Sequence, residues 1–221
     1  RTPLETVIPL DTPYVLFVDP SSRCNFKCKF CPTGDHRLIT STGRYQGLLP
    51  LDDFYRVMDD IEEFPHSIRA LRLYKDGEPL LNKNLSKMVA CAKQSSKIDS
   101  VDTTTNGALL KPRRSERLIE AGIDRINISI DGLSDAQFFE FAGVRIDFKG
   151  FINNIEYLYS IKGNCQIVIK TVQEVIGNDQ QQRFYDLFGN HCDQIYVENL
   201  APFWPDFDVQ DRLGLHIVRG I

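Results

Sequence analysis

Long apolar runs, a secretory signal and an excess of basic residues are all missing from this sequence, and each absence excludes a class of protein. No apolar run approaches the roughly 20 residues that a membrane-spanning helix needs. The first residues do not show a basic segment followed by an apolar one, so no signal peptide is predicted. The formal net charge of −4 gives no electrostatic reason to expect nucleic acid or an anionic membrane as a partner. We therefore expect a cytoplasmic protein that binds neither.

Cysteine is also scarce, but its distribution is informative. Three of the six cysteines fall within eight residues in the pattern Cys-x3-Cys-x2-Cys, at Cys24, Cys28 and Cys31, with no fourth thiol close by. Three thiolates can bind three irons of a [4Fe–4S] cube and leave the fourth iron open to a ligand that is not protein. An open coordination position distinguishes a catalytic metal centre from a structural one. The alternative is a zinc site, whose fourth ligand would be His36, five residues after Cys31.

The other three cysteines are scattered along the chain. A disulfide framework is the alternative for them, but the chain is long and lacks a signal pattern, so a reducing compartment fits better. Cys91 lies in a helical pattern and Cys165 opens an apolar strand, so both are predicted to be small buried hydrophobic residues. Cys192 is assigned no role.

Strand and helix patterns alternate along the 221 residues, enough chain for one substantial domain. Strands are predicted over 14–18, 68–74, 98–104, 125–130, 166–175 and 194–197, and helices over 51–64, 85–92, 112–121, 148–161 and 181–188. Such alternation predicts an α/β fold with a parallel sheet and right-handed crossovers. The sheet can be doubly wound or, with six units, an open partial barrel. In both cases ligand-binding groups gather at the carboxyl ends of the strands.

The cysteine pattern, with aromatic Phe30 just before the last cysteine, resembles the radical S-adenosylmethionine (SAM) superfamily. The resemblance covers about residues 13–200 and implies a partial (β/α)6 barrel with parallel strands. It also implies a [4Fe–4S] cluster on the three cysteines, whose open iron is chelated by the amino and carboxylate groups of SAM. In this family an electron from the cluster breaks the sulfonium C–S bond, and the resulting 5′-deoxyadenosyl radical abstracts hydrogen from a substrate.

Two strand ends carry further elements of the resemblance. Gly77-Glu78-Pro79, after the second strand, resembles the motif that binds the SAM amino group, with Asp76 in place of its first glycine. Asn106, after the third strand, would contact SAM or substrate. A simple turn is the alternative for both segments. Glycine at such a position lets the backbone approach a ligand closely.

The fourth strand and the cysteine loop supply the remaining SAM contacts implied by the resemblance. Ser129 and Asp131 occupy alternate positions, so their side chains share one face and can meet one ribose diol. Phe30 would place its backbone against the adenine, or else cover the cluster as a hydrophobic shield. For Asp131 the alternative is an ordinary strand-ending turn with Gly132.

The resemblance is to relatives of the SPASM or twitch type, which continue into a C-terminal extension with auxiliary iron–sulfur clusters. No cysteine follows Cys192, so we expect a chain that lacks this extension, with any auxiliary cluster confined to it. The expected organisation is a lead-in over residues 1–12, a radical SAM core over 13–200 and, over 201–221, the start of a truncated extension.

The predicted function is that of a radical SAM enzyme that oxidises, epimerises or crosslinks a peptide, sugar or other small-molecule substrate. The resemblance also implies a reducing partner such as flavodoxin or ferredoxin. A non-catalytic iron–sulfur protein for electron transfer or redox sensing is the alternative, but it would need the cysteines and not the strand-end residues. A metal-free peptide-binding scaffold would leave the three thiols unexplained. The charged side chains of Arg72, Arg113, Arg114 and Arg117 form no dense patch in the sequence and are interpreted as solvated.

Overall fold

The computed structural model describes residues 3–200 and residue 213, and it is built around a parallel sheet of six strands. These are β1 (Val15–Phe17), β2 (Ala70–Arg72), β3 (Val101–Thr105), β4 (Arg125–Ile130), β5 (Gln166–Val172) and β6 (Gln194–Glu198). The spatial order of the strands is their order in the sequence, and every adjacent pair is parallel. Within the described part of the chain β1 and β6 do not pair, so the sheet is unclosed.

Helices connect successive strands, as parallel neighbours require. They are α1 (His36–Ser41), α2 (Leu51–Glu62), α3 (Leu85–Ala92), α4 (Pro112–Glu120), α5 (Asp135–Ala142), α6 (Phe148–Ile161), α7 (Gln173–Ile176) and α8 (Gln181–Phe188). Single 3₁₀ turns follow the cysteines (Pro32–Gly34) and β2 (Pro79–Leu81). The predicted bounds of β4, α3, α6 and α8 are those of the structure. The short helices α1, α5 and α7 were not predicted.

The hydrophobic core lies between the sheet and its helices. Ile126, Ile128 and Ile130 occupy alternate positions of β4 and are almost fully buried, in one core with Phe151 and Ile155 of α6. Period-two alternation places the other β4 side chains on the opposite face of the sheet. The core face of β4 therefore determines where its polar face points.

The fifth strand is shorter than predicted. β5 ends at Val172, and residues Gln173–Ile176 form the single helical turn α7. Val175 and Ile176 are buried, so their apolar character reflects packing rather than strand geometry. Among residues 3–200 and residue 213, no helix has the length and apolar character needed to cross a bilayer. The predicted C-terminal segment 201–221 lies, apart from residue 213, outside the described residues.

Candidate active site

The three clustered cysteines lie in the loop that follows β1, and α5 holds this loop in place. The backbone N–H groups of Lys27 and Lys29 donate to the carbonyl oxygens of Ala142 and Phe141, each at 2.8 Å. Cys31 N–H donates to the Cys28 carbonyl at 3.1 Å. These bonds fix a segment without regular structure of its own, because buried backbone groups must find partners. An element that was not predicted from the sequence thus positions the cysteines.

All three thiols are free and half-buried. Burial raises the pKa of Cys24 to about 12 and also raises the pKa values of Cys28 and Cys31. The negative charges of the other two thiolates and of Asp131 raise the pKa of Cys28 further. The thiols are therefore close enough to repel one another once ionised, and a bound cation is needed to make three thiolates favourable here.

This donor set fits an iron–sulfur cluster. Thiolates are the soft ligands that such clusters use, and three of them hold three irons of a cube. Within residues 3–200 and residue 213, no group of three or more His, Cys, Asp and Glu side chains is arranged to hold a single metal ion. A cube does not need such a group, because each thiolate binds a different iron. His36 begins α1, is exposed, and its Nδ1 lies 3.4 Å from the Thr40 hydroxyl.

The segment after β2 packs directly against the cysteine loop. Glu78 N–H donates to the Arg23 carbonyl at 2.8 Å. A Cβ added to Gly77 would lie 2.0 Å from the Ser21 carbonyl oxygen and 2.4 Å from that of Arg23, so only glycine permits this approach. Pro79 is buried and begins the 3₁₀ turn that follows.

The Glu78 carboxylate is fully buried and joins β2 to the end of β3. It accepts hydrogen bonds from Leu80 N–H at 2.9 Å, Thr105 Oγ1 at 2.7 Å and Asn106 N–H at 2.8 Å. Burial raises the pKa of Glu78 to about 7, although these three donors lower it. The carboxylate oxygens thus have partners within the protein, while the backbone of the segment borders the cysteine loop.

Asn106 connects this carboxylate to the first cysteine. Its Nδ2 donates to Asn25 Oδ1 at 2.9 Å and lies 3.8 Å from Cys24 Sγ. Asn25 was not predicted as a site residue, and its position beside Cys24 is the only signal in the sequence that marks it. Asn106 is buried, and its neighbour Gly107 adopts φ +76° to turn the chain away from β3.

The polar end of β4 borders a cavity of about 190 Å³ next to the cysteines. Ser129 and Asp131 line it together, as their alternate spacing predicted, and Phe30 and Cys31 form the side towards the cysteine loop. Cys28 Sγ lies 3.3 Å from Asp131 Oδ2. Burial raises the pKa of the Asp131 carboxyl to about 6.

Charged side chains of β5 and β6 complete the cavity. Lys170 Nζ lies 2.9 Å from Glu198 Oε2, and both side chains are in its lining. Parallel pairing aligns Ser129 with Lys170 and Lys170 with Tyr196, so these side chains share the inner face of the sheet. The remaining cysteines lie elsewhere: Cys165 and Cys192 are buried, and Cys91 is half-buried in α3.

Comparisons with known proteins agree with this arrangement. Residues 18–172 match the model of the Radical SAM superfamily. The GTP 3′,8-cyclase of Staphylococcus aureus (strain bovine RF122 / ET3-1) is 30% identical over 164 residues, which are 72% of this chain and 46% of that protein. The enzyme of the same name from Staphylococcus haemolyticus is 29% identical over 177 residues, or 78% of this chain and 50% of that protein. The chain spans about half the length of the curated relatives it matches.

Solved structures show the same architecture. The crystal structure of Streptococcus suis SuiB bound to S-adenosylmethionine superposes with a TM-score of 0.70 at 22% identity, covering 92% of this chain and 44% of SuiB. This likeness confirms the predicted partial (β/α)6 barrel. The family match covers more than half of the chain, from the residue after β1 to the last residue of β5. The chain therefore belongs to the radical SAM superfamily, whose members are enzymes that use a [4Fe–4S] cluster and SAM as cofactors.

Proposed function

We propose that this protein binds a [4Fe–4S] cluster through Cys24, Cys28 and Cys31 and cleaves SAM reductively to start hydrogen abstraction from a substrate. The observation that carries the proposal is the convergence of three free thiols with the polar ends of β3 and β4 at one edge of the sheet. The bound cofactors supply one electron and a 5′-deoxyadenosyl radical. The protein supplies ligands, orientation and exclusion of water.

The roles assigned to the SAM-binding residues follow from their surroundings. We assign the SAM amino group to the backbone at Gly77, Glu78 and Pro79, because the Glu78 carboxylate already accepts three hydrogen bonds. Carbonyl oxygens are suitable acceptors for an amine. This segment lies against the cysteine loop, where the open iron would be bound.

We assign the ribose and adenine to the cavity beside β4. Ser129 offers a hydroxyl and Asp131 a buried carboxyl, and the two share one cavity with Phe30. Asn106 is assigned to the cofactor on the Cys24 side, where its amide is already directed. The same cavity continues to Lys170 and Glu198, which we assign to the substrate side.

The charge of this cavity bears on the substrate class. Its lining contains one cation, Lys170, and two carboxyl groups, Asp131 and Glu198. A substrate with several phosphate groups would need an excess of cations, as phosphate sites generally do. We therefore favour a peptide, a sugar or another small molecule of low negative charge, modified by oxidation, epimerisation or crosslinking. The S. aureus relative is named for an action on GTP, and SuiB was solved with a precursor peptide.

The subfamily, the organisation of the chain, its reductant and its location are further proposals. We propose a SPASM- or twitch-type relationship, a radical SAM core over residues 13–200 with a lead-in over 1–12, and a protein reductant such as flavodoxin or ferredoxin. A cytoplasmic location suits free thiols that must remain reduced to bind iron.

The test is anaerobic reconstitution with iron and sulfide, followed by SAM and dithionite, with 5′-deoxyadenosine measured by mass spectrometry. We expect 5′-deoxyadenosine from the wild type and none from a Cys28→Ala variant. A reconstituted cluster whose EPR spectrum does not respond to SAM, together with no 5′-deoxyadenosine, would refute the proposal in favour of an electron-transfer protein.

A further inference from the structure

A second cavity, unrelated to the predicted site residues, is strongly basic. It encloses about 390 Å³ between the start of α3 and the start of α4, and we call it the basic cleft. No aspartate or glutamate lines it, while five cations do: Lys83, Lys111, Arg113, Arg114 and Arg117. On a chain whose net charge is −4, this is a local reversal of sign. The arginines of α4, interpreted above as separate solvated charges, thus share one surface with Lys83 from the segment before α3.

Most cations of the cleft are not neutralised by the protein. Among the residues that the structure describes, four of them form no ion pair and no side-chain hydrogen bond. The fifth, Arg114, donates to the Leu109 carbonyl at 3.2 Å, and its charge acts on the buried Glu78 carboxylate against the rise in the pKa of that group. Both adjacent helices also begin without a side-chain cap, at Asn84 and Lys111. Uncapped N–H groups add partial positive charge at these helix starts. The potential of the cleft therefore favours an anionic partner.

The cleft lies next to the hydrogen bonds that lead to the first cysteine. Leu80 is in its lining, and its N–H donates to Glu78 Oε1 at 2.9 Å. The other oxygen of Glu78 accepts from Asn106 N–H at 2.8 Å, and Asn106 Nδ2 lies 3.8 Å from Cys24 Sγ. Two residues, Glu78 and Asn106, thus separate the lining of the cleft from a thiol that holds the cluster in the proposed function.

We propose that the basic cleft is the docking surface for an acidic one-electron carrier protein that reduces the cluster. This inference rests on the proposed function, which requires one electron for each SAM cleaved. With a flavin carrier, the anionic hydroquinone loses one electron and becomes the neutral semiquinone, while the cluster goes from [4Fe–4S]²⁺ to [4Fe–4S]⁺, and no proton moves. Complementary charge steers such an encounter and raises its rate.

The geometry favours a protein surface over a small anion. Lys83, Lys111, Arg113 and Arg117 are exposed. They come from two separate parts of the chain, the segment before α3 and the start of α4, so they can meet several carboxylates of one partner. A phosphate site would instead hold its cations in place by packing and supporting hydrogen bonds. Among the described cations of this cleft, only Arg114 has such a bond. The cavity beside β4 has a separate lining and shares no residue with the cleft.

The test compares charge reversals in the cleft with one elsewhere, on the 221-residue chain. Arg113→Glu and Lys149→Glu are a matched pair, because both residues are exposed and occupy the second position of a helix, α4 and α6 respectively. A triple variant, Lys83→Glu/Arg113→Glu/Arg117→Glu, enlarges the effect. The probe is an acidic flavodoxin, reduced by NADPH and a flavodoxin reductase. Binding of oxidised flavodoxin to the cluster-free chain is measured by surface plasmon resonance, as a readout independent of activity.

We expect flavodoxin affinity and flavodoxin-driven 5′-deoxyadenosine formation to fall about tenfold or more in the triple variant at low salt, a typical electrostatic effect. In the Arg113→Glu variant the same two quantities should fall by a smaller factor, and in the Lys149→Glu variant they should hardly change. Dithionite-driven formation should stay within about twofold of the wild type, because a small reductant needs no docking. Wild-type binding should weaken as salt rises, because ions screen exposed charges.

Several results would overturn the proposal. One is a triple variant that binds flavodoxin as tightly as the wild type does. Another is a Lys149→Glu variant that loses as much flavodoxin affinity as Arg113→Glu. A third is a triple variant whose 5′-deoxyadenosine formation falls as much with dithionite as with flavodoxin. Absence of flavodoxin binding to the wild type would also overturn it. If inorganic phosphate raised the Tm of the wild type but not of the triple variant, with flavodoxin-driven turnover unchanged, the cleft would be a small-anion site instead. Absence of 5′-deoxyadenosine with dithionite in the wild type marks failure of the proposed function itself, separately from the docking surface.

Discussion

The contact between Gly77 and the cysteine loop gives the sharpest prediction, for the substitution Gly77→Ala. The new Cβ would lie 2.0 Å from the Ser21 carbonyl oxygen and 2.4 Å from the Arg23 carbonyl oxygen. Ordinary contact begins at 3.4 Å, so one backbone would have to move by about 1.4 Å. Both obstructing atoms are main-chain oxygens, which cannot rotate away as a side chain does. The loop that carries Cys24 would therefore shift.

The magnitude follows from the cost of overpacking. Inserting a methyl group into a well-packed region costs ~1–3 kcal/mol when side chains can yield, and we expect at least ~3 kcal/mol here because only backbone can. Gly189→Ala is the control, because its added Cβ meets nothing within 4 Å and its φ of −61° suits any residue. A Gly→Ala change at such a site stabilises by ~0.4–1 kcal/mol through the unfolded chain.

Urea unfolding of the cluster-free chain under anaerobic conditions measures the loss of stability. The iron and sulfide content after reconstitution then reports whether the displaced loop still binds a cluster. We expect Gly77→Ala to lower both quantities and Gly189→Ala to lower neither. A Gly77→Ala variant with the unfolding midpoint and iron content of the wild type would refute the packing argument.

Three further predictions concern the buried polar groups. Thr105→Val removes a buried donor to Glu78 and should lower the free energy of unfolding by ~1–3 kcal/mol, whereas an unchanged urea midpoint would contradict the 2.7 Å hydrogen bond. The folded-state pKa of Glu78, about 7, lies above its ordinary 4.5, so its stabilising contribution is complete below pH 4.5 and is lost as pH rises through 7. The stability advantage of the wild type over Glu78→Gln should thus shrink by ~3 kcal/mol between these pH values, and parallel pH profiles from urea titrations would exclude this. Asp131→Asn should retain the iron content of the wild type and weaken SAM binding by about tenfold to a hundredfold in calorimetry, since a hydrogen bond to a charged group contributes ~1.5–3 kcal/mol; an unchanged Kd would remove Asp131 from the ribose site.

Some elements with strong periodicity were predictable in both type and extent, whereas β2, predicted over 68–74, contains only Ala70–Arg72. The bounds of α6 could be read from its apolar face, including Phe151 and Ile155, and those of β4 from alternating isoleucines. The end of β5 could not be read from the sequence, because the apolar side chains of Val175 and Ile176 suit a buried strand and a buried helical turn equally well. Tertiary packing selects the helical turn. The helix α5 has a side-chain cap at Ser134, but it is short and its sequence lacks a clear apolar face.

The grouping of several candidate site residues was predictable, but the hydrogen bonds that connect them were not, and their roles stay predictions. The cysteine spacing and the rule for strand ends identified Ser129 and Asp131, which do line one cavity. The bond from Asn106 to Asn25 spans 81 residues, and no local pattern reports it. The burial of Glu78 was equally hidden, because a glutamate in a turn is usually solvated. The basic cleft was missed because Lys83 and the arginines of α4 meet only in the folded chain.

The same feature of β4 specifies both the fold and the site. Its isoleucines at 126, 128 and 130 must face the helices, because moving them to the inner face would expose three large apolar side chains. A strand has a side-chain period of two, so this requirement also fixes Ser129 on the opposite face and Asp131 two residues beyond it. A slip of one residue would place both among the helices, where their polar groups would lack partners. The strand register that buries the isoleucines of β4 therefore also directs Ser129 and Asp131 to the cavity beside the cysteines. No additional interaction is needed to orient these two side chains.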